Sequence, residues 1–366
     1  MPVSIDVAQL AERPIRLTEN PVHTFYEGGR LWRRFRGSPD PRDDRWAEDW
    51  VGSCIESGQL APEGTVQGLS AIDSADGRRV PLRALLDAAP EAMLGQASMA
   101  RWGADPRVQV KLVAPRARVP LHTHPDAAFA RRHFGTSCGK AEAWIVLEAP
   151  GTDGRPAFAG IGFREDVTEA AFLAAVEAQD TATLLDLVHT TTIRPGDVVF
   201  VRPGVPHYIS GGTFFVEVQE PADLGILAEW RGFVDGPTAA TGGLDPATAM
   251  SCFRIEPQAR LDALGEALQR PRTVRRAGAD QEVALLEEDA APFFEARRMD
   301  VESSLEPDEG RYYVGVVVEG RGSIEGSGWS ESLGRGDTFV CAASLAHRFR
   351  AEGGPLRVIR ACGPRP

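Results

Sequence analysis

Residues 119–144, VPLHTHPDAAFARRHFGTSCGKAEAW, constrain the fold of this chain more than any other stretch. One residue separates His122 from His124, and Glu142 stands in a later run that alternates apolar and polar residues. Residues two apart on a β-strand project to the same face, so both imidazoles are expected to point into one space. A carboxylate on the neighbouring strand would add a ligand that a borderline divalent ion such as zinc accepts. The stretch therefore predicts a sheet that carries a metal site on its inner face.

A third imidazole is available in RPGDVVFVRPGVPHYI, where two turns flank a short apolar strand and the second turn aims His207 back inward. We predict one zinc ion, or another divalent metal, bound by four side chains: His122, His124, Glu142 and His207. Taken alone, the His-x-His pair is also compatible with a surface pair or with a hydrogen-bonded core pair. The other histidines have no ligand-like neighbours and are expected to be structural.

The order of these motifs resembles the cupin superfamily, which implies a double-sheet jelly roll with one metal inside the barrel. Near the C terminus, GRGDTFVCAASLAHRF repeats the hairpin weakly, with Asp337 matching Asp197 and His347 near the place of His207. An internal repeat of one barrel is the simplest explanation. Because the preceding strand has no His-x-His pair, we expect the second barrel to bind no metal and to be structural. The predicted fold is mainly β, with two cupin-type jelly-roll barrels, a small helical insertion and a linking helix.

Helical spacing of apolar residues interrupts the β pattern at 81–95, with a break at Pro90, at about 166–189 and at 259–269. We predict an N-terminal metal-binding barrel at 1–255 that contains the second of these stretches, a helical linker at 256–279 and a C-terminal barrel at 280–366. Residues 14–37 are expected to be extended.

Length and composition are ordinary for a soluble globular protein, since the 366 residues are 43% hydrophobic and 25% charged. We find no signal-peptide pattern and only strand-sized apolar runs, so we expect a cytoplasmic protein without a membrane span. Five widely spaced cysteines without a Cys-x-x-Cys pair favour reduced thiols. A net charge of −12 argues against nucleic acids and anionic membranes as partners.

Two of the 40 basic residues are lysines, and both of them, Lys111 and Lys140, flank the His-x-His element. A compact ammonium group is not interchangeable with a planar guanidinium, so these lysines are candidates to hold polar or phosphate oxygens near the metal. The alternative is that both are ordinary surface cations.

Nearly the whole chain is similar to class I mannose-6-phosphate isomerases of the short bacterial type, which are zinc-dependent proteins with two cupin barrels. The motifs that carry this similarity are WAEDWVGS, VKLVAPRARVPLHTHPD, GKAEAW, the helical insertion and RPGDVVFVRPGVPH. The resemblance implies the same four metal ligands, an active-site cation at Lys140 and an inward carboxylate at Glu217.

Two positions depart from the family pattern. His122 stands where the family usually has glutamine, a change that keeps a neutral ligand. Leu227 stands where the family has a catalytic arginine, although Asp223 of the same motif is retained. We predict that Arg231 or Arg202 supplies the missing positive charge.

The implied activity is the interconversion of mannose 6-phosphate and fructose 6-phosphate. The expected partner is a small-molecule sugar phosphate, and the protein is expected to be a monomer or a homodimer. In such a reaction a metal acts as a Lewis acid, and a general base, either Glu217 or a metal-activated water, moves a proton between adjacent carbons. The predicted catalytic residues are Glu217, Lys140 and Arg231, and the predicted substrate contacts are Lys111, Lys140, Asp223 and Arg202. Glu217 is alternatively an ordinary strand carboxylate paired with an arginine. Two other functions stay open: a metal-dependent cupin acting on another sugar or small acid, and a non-catalytic sugar- or metal-binding protein.

Overall fold

A computed structural model describes residues 12–58, 61–62, 65–73, 79–255 and 263–366. The described chain is mainly β, as predicted. Its strands are β1 (Ile15–Arg16), β2 (Pro21–Val22), β3 (Glu48–Val51), β4 (Ala71–Asp73), β5 (Arg79–Pro81), β6 (Gln109–Val113), β7 (His122–Thr123), β8 (Glu142–Glu148), β9 (Phe158–Phe163), β10 (Val188–Thr192), β11 (Val198–Val201), β12 (His207–Ile209), β13 (Phe214–Gln219), β14 (Ile226–Leu227), β15 (Arg272–Ala277), β16 (Asp280–Ala284), β17 (Glu295–Val301), β18 (Ser304–Leu305), β19 (Tyr313–Glu319), β20 (Arg321–Gly326), β21 (Trp329–Gly334), β22 (Thr338–Cys341), β23 (Arg348–Ala351) and β24 (Leu356–Cys362).

The helices are short. They are α1 (Arg30–Arg36), α2 (Leu82–Ala88), α3 (Pro90–Leu94), α4 (Gln96–Trp102), α5 (Ala127–Phe134), α6 (Glu169–Ala178), α7 (Thr181–Asp186), α8 (Pro237–Ala240), α9 (Pro246–Met250) and α10 (Ala263–Ala267). The helical segment is interrupted between α2 and α3, and α3 begins at Pro90, because proline suits the first turn of a helix but not its interior. None of the described helices is long and apolar enough to cross a bilayer.

Two antiparallel sheets face each other in the first unit. One has the order β11-β8-β13-β6-β3-β2 and the other has the order β10-β9-β12-β7-β14. Between them, Val146, Val199 and Phe215 of the six-stranded sheet pack with Ile161 and Ile209 of the five-stranded sheet. Side chains alternate between the two faces of a strand. Polar residues at the inward-facing positions of these sheets are therefore buried beside this apolar core.

The second unit repeats the pairing of the first. Its two sheets have the orders β1-β22-β19-β24-β17-β16-β15 and β18-β23-β20-β21. Here β19 lies between β22 and β24, as β8 lies between β11 and β13, and β23 pairs with β20 as β12 pairs with β9. The internal similarity of the sequence thus corresponds to two copies of one strand arrangement.

Two features differ from the predicted domain limits. The strands of the second unit begin at Arg272, inside the stretch predicted as a helical linker, because β15 extends the sheet beside β16. β1 also joins the second unit, with Ile15 opposite Val340, so residues 1–255 do not all belong to the first barrel. Residues 256–262 of the predicted linker lie outside the described residues.

The six-stranded sheet is buried on both faces, since its outer face packs against the second unit. Val110 and Leu112 of β6 belong to one apolar cluster with Val314, Val316 and Phe339 of the second unit. Every residue of β6 and β13 is therefore buried, and the charged residues of these strands lie in the interior.

Helices pack against the first unit in two places. In the predicted insertion, α6 and α7 pack Phe172 and Leu184 in a cluster with Phe163 and Tyr208 of the five-stranded sheet. The stretch 14–37, predicted to be extended, contains α1. Its residue Trp32 is fully buried in the core that joins both units, and this tertiary burial favours the helix.

Candidate metal centre

Three imidazoles converge inside the first unit. His122 on β7 lies directly opposite His207 on β12, and His124 follows β7 immediately. The ring centroids of His122 and His207 are 4.1 Å apart, and each is 4.9 Å from that of His124. One nitrogen atom from each ring lies within 4.8 Å of the others. The period of two and the later hairpin thus bring together the three histidines selected from the sequence.

Each of these rings directs its Nδ1 atom at a backbone carbonyl, those of Pro120 (2.8 Å), Leu224 (2.6 Å) and Val205 (2.9 Å) for His122, His124 and His207. A donated Nδ1 proton fixes the tautomer whose Nε2 atom carries a free lone pair, as in metal-ligating histidines. Burial and then the neighbouring His207 hold the pKa of His122 well below its usual range. Burial and then Lys140 lower the pKa of His124 to about 3, so both rings are neutral.

Glu142 completes the predicted ligand set from the first position of β8. Its Oε2 atom lies 3.0 Å from His124 Nε2, and its Oε1 atom lies 3.2 Å from His207 Nε2. Burial alone would raise the pKa of Glu142, but Lys140 and His124 hold it well below its usual range. His207 Nε2 is buried without a hydrogen-bond partner among the described residues. An orphaned imidazole nitrogen beside two further imidazoles and an ionised carboxylate fits a divalent cation.

Lys140 lies against the same ligand atoms. Its Nζ atom is 2.8 Å from Glu142 Oε2 and 2.9 Å from His124 Nε2. The side chain is buried, so it is not an ordinary surface cation.

Lys111 is the second buried ammonium group and lies among three carboxylates. It pairs in register with Glu217, and its Nζ atom is 3.7 Å from Glu217 Oε1, 3.5 Å from Glu48 Oε2 and 3.8 Å from Asp223 Oδ1. The same ammonium lies 4.5 Å from the ring centroid of Trp50. Burial alone would lower the pKa of Lys111, but the three carboxylates raise it. Lys111 therefore stays charged in the interior.

Glu217 is a buried carboxyl group between the two lysines. Its Oε1 atom is 3.7 Å from Lys111 Nζ and 3.9 Å from Lys140 Nζ, and it has no hydrogen-bond partner among the described residues. Burial and then the charge of Glu142 raise the pKa of Glu217 to about 7. Its ion-pair neighbours are lysines, which differs from the ordinary arginine pair considered from the sequence.

Sequence reasoning missed the residues that support Lys111 from the other side. Glu48 accepts hydrogen bonds from the Tyr26 hydroxyl and from Trp50 Nε1, the latter at 2.7 Å. Burial and then Glu48 raise the pKa of Tyr26 well above its usual range, so the phenol keeps its proton. Alternation along β3 places Glu48 and Trp50 on one face, and this was the available signal for finding them.

Neither arginine proposed from the sequence contacts this cluster. Arg231 is exposed, its guanidinium lies over the ring of Trp230, and its backbone NH donates to Gln179. Arg202 pairs with Asp289 at 2.8 Å and with Glu266 at 3.4 Å, both outside the first sheet sandwich. The short strand β14 instead places Leu227 opposite His122.

Asp223 ties a neighbouring loop to the cluster. Its Oδ2 atom accepts hydrogen bonds from Ser57 Oγ and from the backbone NH of Gly58, both at 2.9 Å, while Oδ1 faces Lys111.

Four carboxylates, those of Glu48, Glu142, Glu217 and Asp223, surround two ammonium groups, those of Lys111 and Lys140. When all six are ionised, two negative charges remain, and one divalent cation would neutralise them.

Comparisons with known proteins identify the fold that holds these residues. A crystal structure of mannose 6-phosphate isomerase from Bacillus subtilis superimposes with a TM-score of 0.71 over 95% of this chain and 99% of that one, at 18% identity. A variant of phosphomannose isomerase from Salmonella typhimurium gives 0.71 over 96% and 100%, at 16% identity. This chain has the mannose-6-phosphate isomerase fold. The resemblance expected from the sequence is confirmed.

Sequence comparison alone detects this similarity over a smaller part of the chain. A Bacillus subtilis (strain 168) protein named as a probable mannose-6-phosphate isomerase, GmuF, is 28% identical over 114 residues. This match spans 31% of the chain and about a third of that relative's length (34%). No family profile matches the sequence.

Proposed function

We propose that this protein is a metal-dependent aldose–ketose isomerase that interconverts mannose 6-phosphate and fructose 6-phosphate. The observation that carries the proposal is the enclosed Glu217 carboxyl group, which lies between two buried lysines and beside three converging imidazoles. The fold shared with solved mannose-6-phosphate isomerases supports it.

We propose that His122, His124, Glu142 and His207 hold the metal, with zinc as the first candidate because it favours mixed nitrogen and oxygen ligands. When bound, a divalent cation supplies Lewis-acid stabilisation of the negative charge that develops on a sugar oxygen. Lys140 contacts two of the same ligand atoms, so its ammonium group competes with the cation. Lys140 would donate a hydrogen bond to an oxygen of the substrate.

Glu217 is the proposed carrier of the proton. It would accept the proton from C2 of the aldose and return it to C1, while the C1 carbonyl becomes a hydroxyl and the C2 hydroxyl becomes the ketone. A carboxyl pKa of about 7 matches this role, because a general base works best when its pKa lies near the operating pH. Lys111, held by Glu48 and Trp50, stabilises the ionised form of Glu217.

Arg254 is the proposed contact for the phosphate group, in place of Arg231 and Arg202. Its side chain is exposed. Its backbone NH donates to the Gly204 carbonyl, and the Gly204 NH donates to the His124 carbonyl, both at 2.8 Å. A Cβ atom at Gly204 would come within 2.6 Å of Arg254 Cγ. Glycine at this position therefore lets the arginine lie across the hairpin that carries His207.

Proton NMR of mannose 6-phosphate with the zinc-loaded protein tests the activity. We expect fructose 6-phosphate to appear with wild type, and the Glu217→Gln variant to be slower by about a hundredfold or more. Glu148→Gln is the control, because Glu148 lies at the other end of β8 from Glu142 and pairs with Arg34 and Arg335. An inert, correctly folded and metal-loaded wild type would disprove this substrate.

A second candidate function has one observation in its favour. With Leu227 opposite His122, the described cluster has no arginine at the position expected from the family. A metal-dependent cupin acting on an unphosphorylated sugar would need no such charge. Turnover of free aldoses by wild type, without turnover of mannose 6-phosphate, would favour this alternative.

A further inference from the structure

Ala141 separates two members of the metal centre, Lys140 and Glu142. Both of these side chains meet His124 Nε2, and an extended backbone through Ala141 allows this, because residues two apart on an extended chain project to the same side. Lys140 is fixed by its own backbone, since its NH donates to the Pro125 carbonyl at 3.0 Å. The hydrogen bonds of Ala141 therefore control how the ammonium group and the carboxylate are placed.

The partner of Ala141 is Glu220, the residue that follows β13. Gln219 lies opposite Glu142, so the next pair of the ladder is Glu220 and Ala141. In a regular antiparallel ladder two such residues exchange both backbone hydrogen bonds. One of these is kept, since the Glu220 NH donates to the Ala141 carbonyl at 3.0 Å. The other is replaced, because the Ala141 NH donates to the side-chain Oε2 atom of Glu220, also at 3.0 Å.

The backbone carbonyl of Glu220 accepts two other hydrogen bonds. The Ala222 NH donates to it at 2.7 Å, and Gln219 Nε2 donates to it at 3.0 Å. Gln219 Nε2 also donates to the Ala222 carbonyl at 2.6 Å. These bonds close a turn at Pro221, whose nitrogen carries no proton for a strand ladder. The turn leads the chain to Asp223.

The Glu220 side chain thus meets two demands that compete for one backbone carbonyl. β8 needs an acceptor for the Ala141 NH if it is to stay extended, and the turn needs the Glu220 carbonyl to bring Asp223 to Lys111. That carbonyl already accepts two hydrogen bonds, one for each lone pair. The carboxylate is therefore the acceptor that remains for Ala141.

Arg107 holds this carboxylate from the other side. Glu220 is 5% exposed, and its Oε1 atom lies 3.8 Å from Arg107 Nη2, which supplies the countercharge that a buried carboxylate needs. The backbone of Arg107 is in the left-handed region, at a φ of 57°, and its NH donates to Asp105 Oδ1 at 2.8 Å. A non-glycine residue in this region is held there by its surroundings, and such positions cluster near functional sites.

We propose that Glu220 is a positioning residue of the metal centre, a role that rests on the proposed function. Its carboxylate accepts the hydrogen bond of Ala141, and so it fixes Glu142 where that side chain meets His124 and His207. Without this acceptor Glu142 is free to move away from the imidazoles, and a ligand that is not held in place binds a metal ion less tightly.

Two substitutions at this position test the role in the full-length protein. Glu220→Met has a side chain of similar length without an acceptor, whereas the amide oxygen of Glu220→Gln still accepts from Ala141. Hydrogen exchange at the Ala141 amide, measured without metal, reports the bond itself. Competition with a chelator measures zinc affinity. We expect faster exchange in Glu220→Met and zinc binding weaker by about tenfold to a hundredfold, with Glu220→Gln close to wild type in both.

A third variant covers the case in which Glu220→Met does not fold. Glu220→Asp keeps a negative charge beside Arg107, but its carboxylate is one methylene further from the Ala141 NH. It should change exchange and zinc affinity in the same direction as Glu220→Met. A folded variant of either kind with wild-type exchange at Ala141, or with wild-type zinc affinity, would overturn the assignment.

A double-mutant cycle separates positioning from general destabilisation. In a Glu142→Gln background, where the three imidazoles remain, Glu220→Met should weaken zinc binding much less than it does with Glu142 present. Equal weakening in both backgrounds would mean that Glu220 does not act through Glu142. Neither readout uses the sugar, so a lack of isomerase activity does not affect these comparisons. A wild type that binds no zinc would instead refute the metal centre itself, and this role with it.

Discussion

Lys140 Nζ lies 2.9 Å from His124 Nε2, the nitrogen atom whose lone pair would bind a metal ion. The ammonium also holds Glu142 Oε2 at 2.8 Å, so two ligand atoms of the candidate centre are engaged by one positive charge. Metal binding must release these contacts and then place two cations near each other. We therefore expect Lys140 to weaken the binding of a metal ion at this centre.

Replacing Lys140 by glutamine is expected to tighten zinc binding by about tenfold or more, because a buried repulsive charge is removed. The same variant should lose turnover, since it loses a donor to the sugar. Competition with a zinc chelator measures the affinity. Lys140→Arg, which keeps the charge, is the control. Unchanged zinc affinity in Lys140→Gln would show that the ammonium does not compete.

Removal of one central ligand should remove the metal. His207→Ala is expected to reduce the metal content from about one per chain to well below one, because it leaves three of the four proposed ligands and Lys140 contacts two of those three, His124 and Glu142. Elemental analysis after dialysis measures this. His347→Ala is the matched control at the corresponding position of the second unit and should keep full metal content. A variant His207→Ala with undiminished metal would place the ion elsewhere.

The rate of isomerisation should rise with pH as Glu217 ionises. Burial and the charge of Glu142 raise its pKa to about 7, and a bound divalent cation would lower it again. We therefore expect kcat/KM to have an acid limb at or below about pH 7. Glu217→Asp should keep such a limb with lower turnover, and Glu217→Gln should lose both. A flat profile between pH 5 and 8 in wild type would rule out this base.

Arg254→Gln should raise KM for mannose 6-phosphate by about tenfold to a hundredfold, because one charge-assisted contact with phosphate is lost. Turnover of unphosphorylated mannose should be unaffected. Arg231→Gln is the matched control, since that exposed arginine lies over Trp230 away from the cluster. Equal KM values for wild type and Arg254→Gln would contradict the assignment.

His347 should make the protein less stable in mild acid. Burial lowers the pKa of His347 from 6.5 to about 4, so between these values the unfolded chain binds more protons than the folded one. The contribution of neutral His347 to the free energy of unfolding is then fully present above pH 6.5. The free energy of unfolding falls by about 2–3 kcal/mol as the pH drops toward 4. Urea unfolding of wild type and His347→Gln across this range should show a smaller pH dependence in the variant. Parallel curves would mean that His347 titrates normally.

Several features of the site were predictable because they depend on local patterns. Period two in a strand places His122 and His124 on one side, and turn residues return the chain at His207. Alternation also applies to Glu48 and Trp50, which were overlooked although the same rule covers them. The position of Arg231 was not predictable, because it depends on where the chain runs after Asp223.

The sequence by itself determined the mainly β class, the two copies of the strand arrangement and the histidines that meet, because side-chain alternation and turn chemistry are local. Tertiary structure alone decided the helix at Arg30–Arg36, the strand β1 in the second unit and the raised pKa of Glu217. Each of these depends on burial against residues far away in the chain. Apolar contacts and dielectric surroundings are set by the packed sheets, and no window of sequence contains them.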